Sequence, residues 1–171
     1  MDFPDQVLEK ASKIRLVSFD VDGVLTDGKL YYTDQGAEIK AFNVQDGSAL
    51  KLLERHGLEI AIITGRDSPM VTRRASELGI SHIYQGVDDK ARTLDRLCSD
   101  LGLKHDQAAH VGDDLPDLAL FQKVGLAIGV PNGHPSALAS TDYVTRLAGG
   151  QGVAREVGEL ILRARGLWAY D

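Results

Sequence analysis

An apolar run at positions 14–19 ends directly on Asp20-Val21-Asp22-Gly23, and this junction constrains the chain more than any other feature. So few polar positions fit a strand covered on both faces, the condition of a central parallel strand in an α/β sheet. Two carboxylates one residue apart then stand at the strand's carboxyl end, where open α/β sheets bind ligands. In extended backbone, residues i and i+2 point the same way, so both acids can reach one small volume. Two carboxylates in one cleft favour a hard cation such as Mg2+. Asp-x-Asp-Gly is also ordinary turn chemistry, so the other strand ends must decide.

Apolar β-type runs alternate with helical patterns along the rest of the chain. That order predicts an α/β fold of the Rossmann-like kind, a parallel sheet with right-handed crossovers and helices on both faces. Segments 29–32 and 38–42 flank the turn tetrapeptide Thr33-Asp34-Gln35-Gly36, which predicts a β-hairpin inserted after the first strand. A helix is expected over 48–56, capped by Asp46 and stopped by Gly57. Further strands are expected at 59–63, 80–84, 108–111, 126–130 and 143–145. Helices are expected at 69–78 behind Ser68-Pro69, at 89–101, at 116–124, in one or two turns of 134–140, and at 153–165. With 171 residues and neither repeats nor an interdomain linker, residues 1–171 read as one domain.

A net charge of −6 with no Lys/Arg cluster argues against a nucleic-acid surface. No apolar run approaches the roughly 18 residues that span a bilayer, and the polar stretch 1–13 lacks the apolar core of a signal peptide. A cytoplasmic location is expected. The single cysteine, Cys98, excludes an internal disulfide and cysteine-based metal sites, and falls in a helical pattern as a small core residue.

Three more strand ends carry polar groups. Thr64-Gly65-Arg66 offers a hydroxyl, a glycine amide and a guanidinium, all suited to phosphate oxygens. Lys90 opens a helix after Gly86-Val87-Asp88-Asp89. Gly112-Asp113-Asp114-Leu115-Pro116-Asp117 adds three acids. So many carboxylates on one sheet edge would repel each other without a cation.

In order and spacing these four motifs resemble the haloacid dehalogenase superfamily of phosphatases. The resemblance implies that Asp20 is the nucleophile and forms an aspartyl-phosphate. It makes Asp22 the general acid to the leaving alcohol and then the base for water. Thr64 and Lys90 would hold the phosphoryl group. Asp20, the Asp22 carbonyl and Asp113 would bind Mg2+, with Asp114 and Asp117 supporting from behind. The chemistry fits: a carboxylate is already ionised near neutral pH, yet it needs cations nearby to approach a phosphate dianion.

Forty-four residues separate Asp20 from Thr64 and twenty-six separate Thr64 from Lys90, too few for the cap domain that many superfamily members insert. Water must still be kept from the intermediate, so a neighbouring subunit is the simplest lid. The whole chain resembles the cap-less 3-deoxy-D-manno-octulosonate 8-phosphate phosphatases, which contribute to lipopolysaccharide precursor synthesis. The matching stretches are residues 19–28, Thr64-Gly65-Arg66-Asp67-Ser68, Tyr84-Gln85-Gly86 with Asp89-Lys90, and residues 149–156. The resemblance implies a homotetramer built through the hairpin, with each active site covered by a neighbour. It also implies a sugar-acid phosphate, held by Thr64, Gly65 and Lys90; guanidinium groups suit its carboxylate, and Arg66 is placed for that, with Arg74 of a neighbouring chain, or Arg73 beside it, as a further candidate. A sister group acts on a nine-carbon ulosonate 9-phosphate and carries an acid after Thr-Gly and a base eleven residues on; Arg66 and Glu77 stand here instead.

A non-catalytic tetramerisation module is the alternative from another class, and the retained acids disfavour it; a phosphomutase would need a closed cap. Mg2+, Mn2+ and Co2+ all accept such oxygen ligands. The five histidines show no metal-ligand spacing, and His110 reads as a packed strand residue not needed for the chemistry. Trp168 and Tyr170 lie beyond the last helix, without a place in their own subunit, so segment 166–171 is either a frayed end or, as the resemblance implies, a tail that reaches a neighbour's active-site mouth.

Overall fold

The structure, a computed structural model, describes residues 2–170. Six parallel strands form one sheet: β1 (Leu16–Phe19), β4 (Glu59–Ile63), β5 (His82–Tyr84), β6 (Ala108–Gly112), β7 (Leu126–Gly129) and β8 (Tyr143–Val144), in the order β5-β4-β1-β6-β7-β8. The chain steps outward from β1 through β4 to β5, then returns to the other side of β1 and continues outward. The strand order therefore reverses at the β1–β6 crevice, the topological switch point at which such sheets bind ligands. All the predicted site motifs leave the sheet at this end.

Alternation within the strands divides the core into two layers. Val17 and Phe19 face one side with Ile60, Ile62, Ala109, Val111, Leu126 and Ile128. They pack beneath α1 (Asp5–Ser12), α2 (Val44–Arg55), α3 (Pro69–Leu78) and α7 (Val153–Ala164). Leu16, Ala61, Ile63 and Ala108 face the other side beneath α4 (Lys90–Leu101) and α5 (Leu118–Phe121). Cys98 is buried in this second layer, as its helical spacing predicts. Two polar residues share the layer: Ser18 and His110 are register partners in β1 and β6, and Ser18 Oγ lies 2.8 Å from His110 Nδ1.

Helix α1 was not foreseen in the sequence: its Val7 and Ala11 are buried against α7, because apolar residues four apart make one helical stripe. Three expectations need correction. The 116–124 segment is a single 3₁₀ turn at Leu115–Asp117 followed by α5, since Asp114 caps it earlier. Helix α2 begins at Val44, capped by Asn43 Oδ1 accepting from Gln45 N at 2.8 Å. Asp46 instead lies buried in the first turn and accepts from Arg155 N at 3.0 Å. It caps α7 from another helix, where the native cap residue, Gly152, has no side chain to offer. Finally, Trp168 does have a place in its own subunit. After Gly166 turns the chain at φ +66°, the indole packs on the core and 5.7 Å from Arg163. Tyr170 meets Trp168 edge-on and stays exposed. Asp171 lies outside the described residues.

The hairpin of β2 (Tyr31–Tyr32) and β3 (Glu38–Ile39) stands off the main sheet between β1 and α2, as expected. Each strand has only two residues, and Leu30, Tyr31, Tyr32 and Ile39 are all exposed. At its base, however, Lys40 is turned inward with 2% of its side chain accessible. α6 (Pro135–Leu138) lies between β7 and β8.

Burial pushes the Asp46 carboxyl up to about 6, against the pull of the Arg155 and Ala154 amides. A carboxyl whose folded-state pKa is raised contributes stability that is present at low pH and lost as pH rises through that value. Asp46→Asn keeps a capping oxygen and removes the charge. The variant should gain stability relative to the parent as pH rises from about 4 to about 6, by on the order of 1–3 kcal/mol. Urea unfolding of both proteins across that range measures the difference; a constant gap would remove Asp46 as its source.

Candidate active site

The chain leaves β1 through an irregular turn at Val21–Leu25, in which Asp22 and Gly23 leave helical backbone. Gly23 has φ +93°, and a Cβ there would stand 2.0 Å from Asp113 Oδ2. Glycine thus lets the β6 carboxylate come directly against the β1 turn. Thr26 Oγ1 donates to Val21 O at 3.3 Å and accepts from Gly23 N at 3.4 Å and Gly28 N at 3.3 Å. Asn132 donates to Gly23 O at 2.9 Å and accepts from Gly149 N at 2.7 Å. The glycine-rich loop 149–152 therefore buttresses the turn, with Gly150 N bonded to Val24 O at 3.0 Å.

Asp20 is almost wholly buried at the floor of an open cleft of about 530 Å3. One oxygen accepts from Val21 N at 2.7 Å and the other lies 3.0 Å from Lys90 Nζ. Lys90 also donates to Asp117 Oδ1 at 2.7 Å. Asp117 is fully engaged. Its Oδ1 additionally faces His110 Nε2 at 3.0 Å, and its Oδ2 accepts from the amides of Asp113 at 3.0 Å and Asp114 at 3.2 Å. Gly112 makes room for this, because a Cβ there would meet Asp117 Cγ at 2.4 Å. A continuous polar chain thus runs Ser18–His110–Asp117–Lys90–Asp20 through the sheet's second layer. His110 is packed in a strand, as expected, but it also touches the site through Asp117.

Thr64, Gly65, Arg66, Asp22, Asp113 and Asp114 line the same cleft. Thr64 is locked by its backbone, donating to Tyr84 O and accepting from Val87 N. Asp114 is outermost, its Oδ1 accepting from Leu115 N at 2.8 Å. Arg74 is not brought to this cleft within its own subunit. It lies over Gly47 with Nη1 3.4 Å from Glu77 Oε2, since its position on α3 faces α2.

Sequence reasoning missed the ion network around Asp22. Its Oδ1 is bound by Lys40, and its Oδ2 lies 3.4 Å from Arg66 Nε. Glu38 bridges the two cations, 2.6 Å from Arg66 Nη2 and 3.5 Å from Lys40 Nζ, and accepts from Ser68 Oγ at 2.8 Å. The available signal was the i, i+2 pair Glu38 and Lys40, which extended backbone puts on one face. Nothing in the linear order said which acid they would meet.

The electrostatics show a surplus of negative charge. Burial, then the neighbouring carboxylates Asp20, Asp117 and Asp114, push Asp113 up to about 7. Asp20 is also raised, by burial and Asp117, against the opposing pull of Lys90. Asp117 is held well below the usual carboxylate range: burial opposes this, but His110 and Lys90 outweigh it. Burial works against Lys90's charge as well, yet Asp20 and Asp117 keep it above the ordinary lysine value. Oxygens of Asp20, Asp113 and Asp117 lie within 4.8 Å of one another, close enough to share a metal ion. With Asp117 already saturated, Asp20 and Asp113 remain to face it. An all-oxygen set short of positive charge fits a hard divalent cation.

Comparison with known proteins places this geometry. The profile of the haloacid dehalogenase-like hydrolases matches residues 74–157. The chain is 46% identical to the 3-deoxy-D-manno-octulosonate 8-phosphate phosphatase KdsC of Escherichia coli K12, over 94% of this chain and 85% of that protein. The chain belongs to this phosphatase family. The 3-deoxy-D-manno-octulosonate 8-phosphate phosphatase of Moraxella catarrhalis, solved with magnesium, phosphate and KDO, superposes with a TM-score of 0.93. It is 49% identical, covering 96% of this chain and 94% of that one. The cobalt-bound phosphatase of Haemophilus influenzae gives a TM-score of 0.88 at 38% identity, with 92% of each chain covered. The family's parallel α/β architecture, without a cap domain, is the one observed here.

Asp113 yields a test. Its raised pKa means that the metal-free fold is favoured by a proton there and loses stability as pH climbs from about 4 to about 7. Thermal melts in chelator should show that loss, Asp113→Asn should reduce it, leaving the part due to Asp46 below about pH 6, and Mg2+ should raise the parent's Tm more above pH 7 than below. A Mg2+ effect equal at both pH values would remove Asp113 from the ligand set.

Proposed function

We propose that this chain is a Mg2+-dependent phosphomonoesterase that releases phosphate from 3-deoxy-D-manno-octulosonate 8-phosphate in the cytoplasm. The observation that carries the reading is the pairing of a buried, amide-bonded Asp20 with Lys90 in a cleft where Thr64 and Gly65 face it. An Asp20 oxygen attacks phosphorus, the ester P–O bond breaks, and Asp22 gives a proton to the departing sugar oxygen. Water then attacks the aspartyl-phosphate, Asp22 takes its proton, and the Asp20–phosphorus bond breaks to release inorganic phosphate.

Lys90 stays charged between Asp20 and Asp117, so it offsets part of the nucleophile's charge as the phosphate approaches, without needing to move. Thr64 and the Gly65 amide hold the equatorial oxygens. Asp20, Asp113 and the Asp22 carbonyl would hold Mg2+, which when bound offsets the repulsion between nucleophile and phosphate. Asp117, with both oxygens occupied, acts by fixing Lys90 and the 113–114 backbone, and Asp114 adds charge at the rim. Arg66, the exposed guanidinium of the cleft, suits the carboxylate of a sugar acid. Arg74 would serve a neighbouring subunit.

The cleft is open, and no segment among the described residues lies across it, so a second chain is the cover that this reading requires. The exposed apolar hairpin is the surface for that contact, because two-residue strands are not stable alone in water. The homotetramer that the resemblance to the octulosonate 8-phosphate phosphatases implies would supply that chain.

Asp20→Asn should lower turnover by roughly three orders of magnitude or more while leaving the melting curve in place, because the amide carries no nucleophilic charge. Phosphate release from the sugar-acid ester measures it, and turnover within about a tenth of the parent's would mean that water attacks directly. Light scattering should report about four times the 18.5 kDa chain, and Tyr32→Asp should shift that toward smaller species with a loss of activity. A fully active monomer would overturn the shared-site reading.

A further inference from the structure

The hairpin does more than stand at the rim, because its base reaches into the site. Lys40 follows β3, and its ammonium lies beneath the surface between Asp22 and Glu38. A buried ammonium is costly unless its partners are fixed, so this contact clamps the hairpin to the β1 turn. Arg66 holds the other Asp22 oxygen but is 44% exposed, and it divides itself between Asp22, Glu38 and Tyr32. The two cations are therefore not equivalent. An anionic substrate can draw Arg66 away from Asp22, whereas the Lys40 side chain, nearly covered, does not line the Asp20 cleft where a substrate would sit.

We infer that Lys40 is a positioning residue for proton transfer by Asp22. It grips Oδ1, so that when Arg66 turns to an anionic substrate, whether to its phosphate or to a carboxylate, Oδ2 is left facing the cleft. The proton given to the leaving oxygen, and later taken from water, moves at Oδ2. Glu38 completes the device by holding Lys40 and Arg66 at the spacing that Asp22 requires, and Ser68 fixes Glu38 in turn. The inference rests on the role of Asp22 in the proposed reaction.

Leaving-group dependence tests it, because an alkoxide needs a proton to depart and p-nitrophenolate does not. The probes are ribose 5-phosphate and p-nitrophenyl phosphate. The readout is kcat/KM, which stops at the first irreversible step. Lys40 lies on Asp22 and Glu38 and does not line the Asp20 cleft, so a loss of its positioning role should fall unequally on the two. Lys40→Met is expected to lose at least about tenfold more kcat/KM on ribose 5-phosphate than on p-nitrophenyl phosphate, a fraction of the roughly 10²–10⁴ that a general acid supplies. Lys40→Arg should recover part of the gap.

If Lys40→Met fails to fold, Lys40→Gln keeps a donor and a similar volume, and should show the same inequality at about threefold or more. Equal losses on both esters, or none, would overturn the inference. Asp22→Asn run alongside separates the two failures. If it shows the unequal loss and the Lys40 variants do not, only the positioning role falls. If Asp22→Asn shows no inequality, the proton-transfer reading itself falls.

Discussion

The ion pair between Lys90 and Asp117 underlies the whole site. Lys90 opens α4 after β5 and Asp117 ends the turn after β6, so the pair spans the crevice from one half of the sheet to the other. It exists only because the strand order reverses at β1. Asp20, from the strand between them, then finds a cation already in place. Without that cation the convergence of Asp20, Asp113 and Asp117 would oppose folding, since each carboxylate raises the cost of ionising the next. The surplus that Lys90 cannot cancel appears in the raised Asp113 carboxyl, and it is what a divalent ion would relieve.

Polar support for this pair is drawn from the interior. Ser18 and His110 occupy positions on the α4 side where the strands otherwise carry Leu16, Ala61, Ile63 and Ala108. Buried polar groups are tolerated when their hydrogen bonds are complete, and here each meets the other or Asp117. The result is a rigid backing that fixes the Asp117 carboxylate from below while the 113 and 114 amides fix it from the side. Lys90 is thereby held at one point, the condition for a charge that stabilises a transition state without reorganising.

On the opposite flank the hairpin solves two problems with one element. Its outer face is too apolar and its strands too short to be stable in water, which suits it for contact with another chain. Its base delivers Lys40 and Glu38 to Asp22. In the proposed reading, assembly and acid–base geometry are coupled through these residues, because Lys40 and Glu38 tie the hairpin to Asp22. A cap domain does comparable work in larger members of the superfamily, and here a small insertion and a neighbour would divide it.

Much of this was legible in the chain itself. Apolar runs and glycine or proline punctuation marked the sheet, the hairpin and the start and end of α3, because strand burial and helix termination are local properties. The four motifs were visible for the same reason: a carboxylate or hydroxyl immediately after a strand must lie at the sheet edge wherever the strand sits. What the tertiary structure decided were the partners. That Asp46 caps α7, that Asn132 braces Gly23, that His110 supports Asp117 and that Lys40 meets Asp22 are contacts between residues 109, 109, 7 and 18 apart along the chain. Propensity carries no information about such pairs, since either member alone reads as an ordinary turn, core or surface residue. Only the strand order and the crossovers bring them within hydrogen-bonding distance, and the requirement that buried polar groups find partners then selects which ones meet.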